Sequence, residues 1–363
     1  MTNPPTTRRR KRTARFVEIA QAAGVSPTTV DRVLNERGSV SAATRARVVA
    51  AARQLEVPRI LPDTLHGLIH VDVLLPRNTT PFFRRLNLAL ERSMQMLDKR
   101  IVVHRTILPE ADDDVITRAI LHPPYNRRGL IVTTRDTPRV QTALRTVIER
   151  GEPVITMVTD MTDVARVHYA GIDNLCAGRT AGYFVGRLAQ HPGRVLLLCG
   201  RQDYRVHSDR MLGCRLQLAE TFPELTVDGA GIETLDDPDR CYRAVLKAFG
   251  EGNVAGIYNS GYGSAGVEAA LRTCGAEGRV VWVTHEMLDR HRDYIETGKM
   301  DIVIDQDPDG QVISAIQHLL HACGVVDIAP PGGPLDFRIF CSTNVPRGGY
   351  LPRGGVAAPQ GSR

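Results

Sequence analysis

No run of about 18 consecutive apolar residues occurs in this sequence, so it offers no helix able to cross a bilayer. It also lacks the spacings that mark common catalytic centres: there is no H-E-x-x-H, no G-x-S-x-G and no P-loop. His285-Glu286 stands as a lone pair, and Gly261-Tyr-Gly-Ser-Ala-Gly266 fits G-x-G-x-x-G only as an isolated match after a strand-like run. The seven cysteines are odd in number and scattered, and no two have metal-ligand spacing. They read as reduced thiols. No enzyme, no metal and no cofactor is expected. The basic N-terminus is followed by no apolar segment, so a secretory signal is not expected and the cytoplasm is the expected compartment.

What is present is a chain of 363 residues, 42% hydrophobic and 24% charged, long enough for two or three compact units. Its charge is unevenly placed. Residues 1–60 hold 12 Lys and Arg against 4 Asp and Glu, whereas the rest hold 34 against 36. The positive excess belongs to the first sixth of the chain, which implies either a polyanion partner for that part or a solvated basic tail.

Phe16, Ile19, Ala20 and Ala23 recur on one helix face, and Gly24 can end that helix. Ser26-Pro27 supplies a cap and a proline at the first helical position. Val30, Val33 and Leu34 form the next apolar face, Ser41 is a second candidate cap, and Val48, Ala51, Ala52 and Leu55 mark a third helix. Three short helices with a tight turn between the first two describe a helix-turn-helix. In such modules the start of the second helix meets base edges, which selects Pro27, Thr28 and Thr29, with the cap Ser26 beside them at the DNA. Arg32, Asn35, Ser39, Ser41, Thr44 and Arg45 fall at positions suited to the DNA backbone.

The stretch Glu18-Ile-Ala-Gln-Ala-Ala-Gly-Val-Ser-Pro-Thr-Thr-Val-Asp-Arg-Val-Leu-Asn35 resembles the headpiece of the lac-repressor (LacI) family. So does the segment from Val40 to Leu55. The match runs about 45 residues without a gap, in line with a motif read at base edges. Three positions depart from the family pattern. Asp31 puts a carboxylate where serine is usual. Arg15 replaces a capping threonine, leaving Thr13 for that role. Pro62 interrupts the family's hinge helix, so Leu65 is either a minor-groove wedge or a linker leucine.

From Leu68 onward, strand-like runs alternate with amphipathic ones, as in parallel sheets covered by helices. The resemblance continues here with the type I periplasmic sugar-binding fold that forms the family's sensor. It is carried by Pro76-Arg-Asn-Thr-Thr-Pro-Phe-Phe83, Gly171-Ile-Asp-Asn174, Ser208-Asp-Arg-Met-Leu-Gly213 and Asp305-Gln-Asp-Pro308. The expected architecture is a small all-α headpiece plus an α/β sensor of two doubly wound parallel-sheet lobes. The boundaries read as a disordered basic tail 1–14, headpiece 15–57, hinge 58–67, sensor 68–345 and disordered tail 346–363. Lobe one is 68–173 with 307–325, and lobe two is 174–306 with 333–345.

Ligands of such folds sit at the carboxyl ends of strands, between lobes. The resemblance implies a site from Phe82, Phe83, Asp160, Arg210 and Gln306. Two segments depart from the family's pattern, Tyr258-Asn-Ser-Gly-Tyr-Gly-Ser264, where Asn259 or Ser264 would fill the polar role, and Thr284-His-Glu286, where His285 and Glu286 change the donor set, so no standard pentose or hexose is inferred. Phe82 and Phe83 either stack on a sugar-like ring or pack in the core. Arg210 either faces the cleft or forms a surface ion pair, and Asp160 either takes ligand hydroxyls or caps a helix. Glycines 261 and 263 suggest backbone N–H groups near the ligand, and His285 in the cleft implies pH-sensitive recognition. The expected function is a sequence-specific regulator of transcription, a repressor, controlled by a sugar- or polyol-like effector. Its expected partners are double-stranded DNA with a near-palindromic operator and a second copy of the chain, as a homodimer. Helix 82–97, with Leu86, Leu90, Met94 and Leu97, serves either that dimer or its own sheet. Two other readings stand beside this one: a regulator with an empty cleft controlled by a partner protein, and a solute-binding protein.

Overall fold

The computed structural model of this chain describes residues 16–35, 37, 40–55, 57, 68–227 and 229–351. Two units separate at residue 68. The hinge 58–67 with Pro62 and Leu65, the residues Thr13, Arg15 and Ser39, and both ends of the chain lie outside the described residues.

The first unit holds three helices, α1 (Phe16–Ala23), α2 (Pro27–Leu34) and α3 (Ala42–Gln54). Ile19, Ala20, Val30, Val33, Leu34, Val48 and Val49 close one small core between them. Gly24 adopts the left-handed φ of 63° that ends α1. Ser26 then accepts from the Thr29 backbone N–H at 3.2 Å, with Pro27 at the first helical position. Ser41 caps α3 in the same way, accepting from Thr44 N–H at 3.3 Å.

The second unit begins with β1 (Ile69–Pro76), α4 (Pro81–Gln95), β2 (Ile101–Leu108), α5 (Asp113–Leu121), β3 (Arg127–Val132), α6 (Pro138–Glu149), β4 (Val154–Met157) and β5 (His168–Ala170). Their strands form a parallel sheet in the order β2-β1-β3-β4-β5. The chain then crosses to α7 (Asn174–Leu188), β6 (Gly193–Cys199), α8 (Arg205–Thr221), β7 (Leu225–Thr226), β8 (Ile232–Glu233) and α9 (Pro238–Glu251). It continues through β9 (Val254–Asn259), α10 (Ser264–Thr273), β10 (Val281–His285), α11 (Asp289–Glu296) and β11 (Ile302–Asp305). Helix α12 (Pro308–Ala322) returns to pack on α4 and on β3, β4 and β5 of the first sheet. The last strand, β12 (Arg338–Phe340), lies antiparallel against β11. The second sheet runs β12-β11-β10-β9-β6-β7, with β8 beside β6. Every residue of β9 and β10 is buried, as a parallel sheet covered on both faces requires.

On α4, Leu86 and Leu90 are enclosed in the core of their own chain. The interface reading of that helix therefore fails for these two side chains. Helices α7 and α8 approach until backbones touch. A Cβ on Gly178 would stand 2.1 Å from the Arg210 carbonyl oxygen, and one on Gly213 would stand 2.2 Å from that of Leu175. Glycine is required here by space, because the obstacle is main chain. Gly178→Ala is expected to destabilise the second unit by about 1–3 kcal/mol, seen as a lower urea midpoint with the slope unchanged. An unchanged midpoint would show that α8 can move away at no cost.

Candidate functional site

On the first unit, Ser26, Pro27 and Thr28 are exposed at the start of α2 and Thr29 is half-buried. Ser26 Oγ and Thr29 Oγ1 lie 2.9 Å apart, so their hydroxyls brace each other within the cap. Arg32, Asn35 and Ser41 are also exposed, and Thr44 is half-buried. Asp31 is engaged, since its carboxylate accepts from Asn35 Nδ2 at 2.6 Å, one turn along the helix. Arg45 corrects the sequence reading. It is fully buried, enclosed on the same helical face as Val48 and Val49, and no surface remains for a phosphate.

In the second unit a cavity of about 610 Å³ opens where strands of both sheets end, within the roughly 300–1,000 Å³ usual for small-molecule sites. Arg77 and Asn78 follow β1, Phe82, Phe83 and Arg84 come from the start of α4, and Glu110 follows β2. Arg201 and Tyr204 follow β6, His207 and Arg210 stand on α8, and Asp236 follows β8. Tyr262 follows β9, His285 ends β10 with Glu286 just past it, and Gln306 follows β11. Val158, Leu235, Asp236 and Glu286 line this cavity with φ between 55° and 69°. A valine in that region is sterically costly, and such strain gathers at binding sites.

The floor is a buried polar network. Arg210, 2% exposed, donates from Nε to Asn174 Oδ1 at 2.8 Å, from Nη1 to the Ser260 carbonyl at 3.1 Å and from Nη2 to Gln306 Oε1 at 2.9 Å. Gln306 Nε2 donates to Glu286 Oε1 at 2.6 Å, and the Tyr350 hydroxyl donates to Glu286 Oε2 at 2.7 Å. Burial and the nearby Asp305 push the Glu286 carboxyl up to about 8, against the pull of its two hydrogen bonds and Arg210. Burial holds His207 down to about 3, His291 to about 4, and His285 well below its ordinary value. His285 does line the cleft, yet it stays neutral across physiological pH. The titrating neighbour is Glu286. Two buried polar atoms on the cavity lining have no partner among the described residues, the Tyr204 hydroxyl and His285 Nδ1. Both residues are more than nine-tenths buried, and such groups call for a bonding partner, a water or a bound molecule.

Phe82, Phe83, Arg210, His285, Glu286 and Gln306 thus share one cleft, and three expected members do not. Asp160 accepts from Thr156 at 2.8 Å and from Arg166 at 2.5 Å, which holds it in its own lobe. Asn259 turns back to accept from Gly261 N–H at 3.3 Å, and Ser264 bonds His291 Nε2 at 2.7 Å beside a neighbouring smaller cavity. The N–H of Tyr262 likewise goes to Asp236 at 2.8 Å, so these backbone donors serve the protein. Gly261 lines the cavity with no room for a Cβ, which would stand 2.7 Å from Asp236 Oδ1, and Gly263 adopts a φ of 115° that disfavours any side chain.

Sequence reasoning missed Arg77, Glu110, Tyr204, His207, Asp236 and Tyr350. Arg77 and Glu110 were accessible from their place just past strands. Tyr350 falls in the segment read as disordered, yet it is buried, with its backbone N–H on Asp289 at 3.0 Å.

Residues 71–324 match the family model described as periplasmic binding protein domain, and residues 16–57 match that of the bacterial regulatory proteins, lacI family. The chain is 39% identical over 94 residues to the ribose operon repressor of Bacillus subtilis, covering 24% of this chain and 28% of that protein. It is 28% identical over 167 residues to the HTH-type transcriptional regulator GntR of Escherichia coli, covering 45% and 48%. The matches thus span between about a quarter and a half of these relatives' length. Among solved structures, a glucose-galactose binding protein from Geobacillus stearothermophilus superposes with a TM-score of 0.69 at 16% identity, over 77% of this chain and all of that one. A solute binding protein from Burkholderia graminis, in complex with D-arabinose, gives 0.70 at 20%, over 78% and 98%. These likenesses establish the fold of the second unit.

The raised Glu286 carboxyl has a consequence for stability. Folded, it keeps its proton up to about 8, whereas its ordinary value is 4.5. Between those values the native state binds the extra proton, so this group's contribution to stability falls as pH rises through the window. Glu286→Gln has no proton to lose, and its melting temperature should gain on the wild type from pH 4.5 to 8. Parallel curves for the two proteins would contradict this.

Proposed function

Because this chain belongs to the periplasmic binding protein domain family and carries a lacI-family regulatory domain ahead of it, we propose that it is a DNA-binding transcriptional regulator whose operator affinity is set by a small polar effector. One observation carries the reading. A helix-turn-helix with an exposed start to α2 precedes, in the same chain, a strand-end cavity whose buried Tyr204 hydroxyl and His285 Nδ1 lack partners. The first unit supplies base-edge contacts through Pro27, Thr28 and Thr29, with Ser26 and Arg32 at the backbone. The second supplies aromatic faces from Phe82 and Phe83 and hydrogen-bonding groups from Arg210 and Gln306, a set suited to a sugar- or polyol-like ring.

One headpiece neutralises few phosphates, so working affinity calls for two copies on a near-palindromic site. The effector acts by binding one conformation of the sensor better than another. The change in operator affinity equals that difference, typically 5–150-fold. The curated relatives are a repressor and a transcriptional regulator by name, and repression is the sense proposed here.

Selection from random duplexes with the full chain should enrich a near-palindrome. On that site Thr28→Ala should cost about 1–3 kcal/mol in gel shifts and relax the preference at one base position per half-site. Failure to prefer any duplex, with or without a sugar that raises the melting temperature, would refute the DNA-binding half.

A further inference from the structure

We propose that the effector carries an anionic group, carboxylate or phosphate, on a polyol scaffold. That group is received by the guanidinium groups of the cleft, Arg210 on one lobe with Arg77 and Arg84 on the other. This rests on the cleft being the effector site.

The first ground is Arg210. All three of its hydrogen bonds end on neutral oxygens, those of Asn174, Ser260 and Gln306. No described carboxylate lies within ion-pair distance of it. A guanidinium carries five N–H donors, so two remain for an occupant. A buried charge without a counter-ion is costly, and a ligand anion removes that cost.

The second ground is the state of the other cleft arginines. Arg77 and Arg84 line the same cavity, and their side chains make no hydrogen bond or ion pair with any described residue. Their neighbours are treated differently. Arg85, next along α4, donates to Asp309 at 2.6 Å, and Arg201 is fixed by Asp203 at 2.8 Å.

The third ground is that the carboxylates of the cleft are anchored elsewhere. Glu110 accepts from Asn78 at 3.1 Å, Asp236 from Tyr262 N–H at 2.8 Å, and Glu286 from Gln306 and Tyr350. None of them makes an ion pair with Arg77, Arg84 or Arg210. Glu110 and Asp236 keep acceptor capacity for hydroxyls, which is why the scaffold is a polyol and the ligand more than a bare anion.

The test titrates the full chain by calorimetry with matched pairs: ribose 5-phosphate against ribose, glucose 6-phosphate against glucose, and galacturonate against galactose. At least one anionic member should bind about tenfold or more tightly than its neutral parent. The phosphate and carboxylate arms decide which anion it is. Raising the salt concentration should narrow the gap, and Arg77→Gln and Arg84→Gln, both at exposed positions, should move the ratio toward one. A neutral parent that binds as well as its anion overturns the proposal and leaves the effector reading standing. No binding by any member overturns both.

Discussion

Arg210 sits where three separate stretches of chain must meet. Its guanidinium is held by Asn174 at the start of α7, Ser260 just past β9 and Gln306 just past β11. Two of these are the points where the chain passes between lobes. A buried guanidinium must keep its hydrogen bonds or bear a large desolvation cost, so the start of α7 and the end of β11 are tied to one side chain. The bare backbones of Gly178 and Gly213 let α8 come close enough for this. Crossover and cleft floor are therefore one construction, and a shift of the lobes has to be felt at Arg210.

The network does not stop at the floor. Gln306 passes from Arg210 to Glu286, and Glu286 to the hydroxyl of Tyr350. The Tyr350 ring lies under Arg85 of α4, 4.7 Å from its guanidinium carbon, a contact of cation–π type. A continuous line of polar contacts thus runs from lobe two to a helix of lobe one by way of a segment after the last strand. It explains why Glu286, buried and with both oxygens occupied, tolerates a left-handed φ of 67°.

What could be read from the sequence follows the range of the interactions involved. The headpiece is local: caps at Ser26 and Ser41, the glycine at 24 and the apolar spacing all act within a few residues, so helix positions were legible. The strands of the parallel sheets are buried runs, and residues at or just past their ends, such as His285 and Gln306, were legible with them. The failures have local competitors too. Asp160 is captured by Arg166 six residues on, and Asn259 by the turn it begins. Neither spacing belongs to a regular element, so periodicity was silent. Arg45 is a different case. Helical spacing puts it on the face of Val48, Val49 and Ala52, which was enough to place it inside, and the helix-turn-helix docking geometry drew it outward. Asp236 follows a strand of two residues, too short to leave any pattern. Tyr350 is one aromatic among glycine and proline, so composition pointed to disorder while one burial decided the matter.

The arginines of the second unit divide their work. Arg135 joins Asp113 of lobe one to Asp203 of lobe two at 2.5 and 2.9 Å, and the backbone N–H of Asp136 reaches the Asp203 carbonyl at 2.8 Å. Asp203 remains about a third exposed, so this pair is worth on the order of 1 kcal/mol. It can align the lobes but cannot dominate the balance between their arrangements. Arg77, Arg84 and Arg210 take no part in it. Alignment is handled by one set of charges, while the side chains of Arg77 and Arg84 make no hydrogen bond or ion pair with any described residue and Arg210 is held by neutral oxygens alone. A bridging pair made from the cleft arginines would instead tie the two lobes to each other across the cavity. Under the proposed function, keeping the two sets apart would let a ligand with a differential affinity of a few kcal/mol decide which arrangement of the lobes prevails.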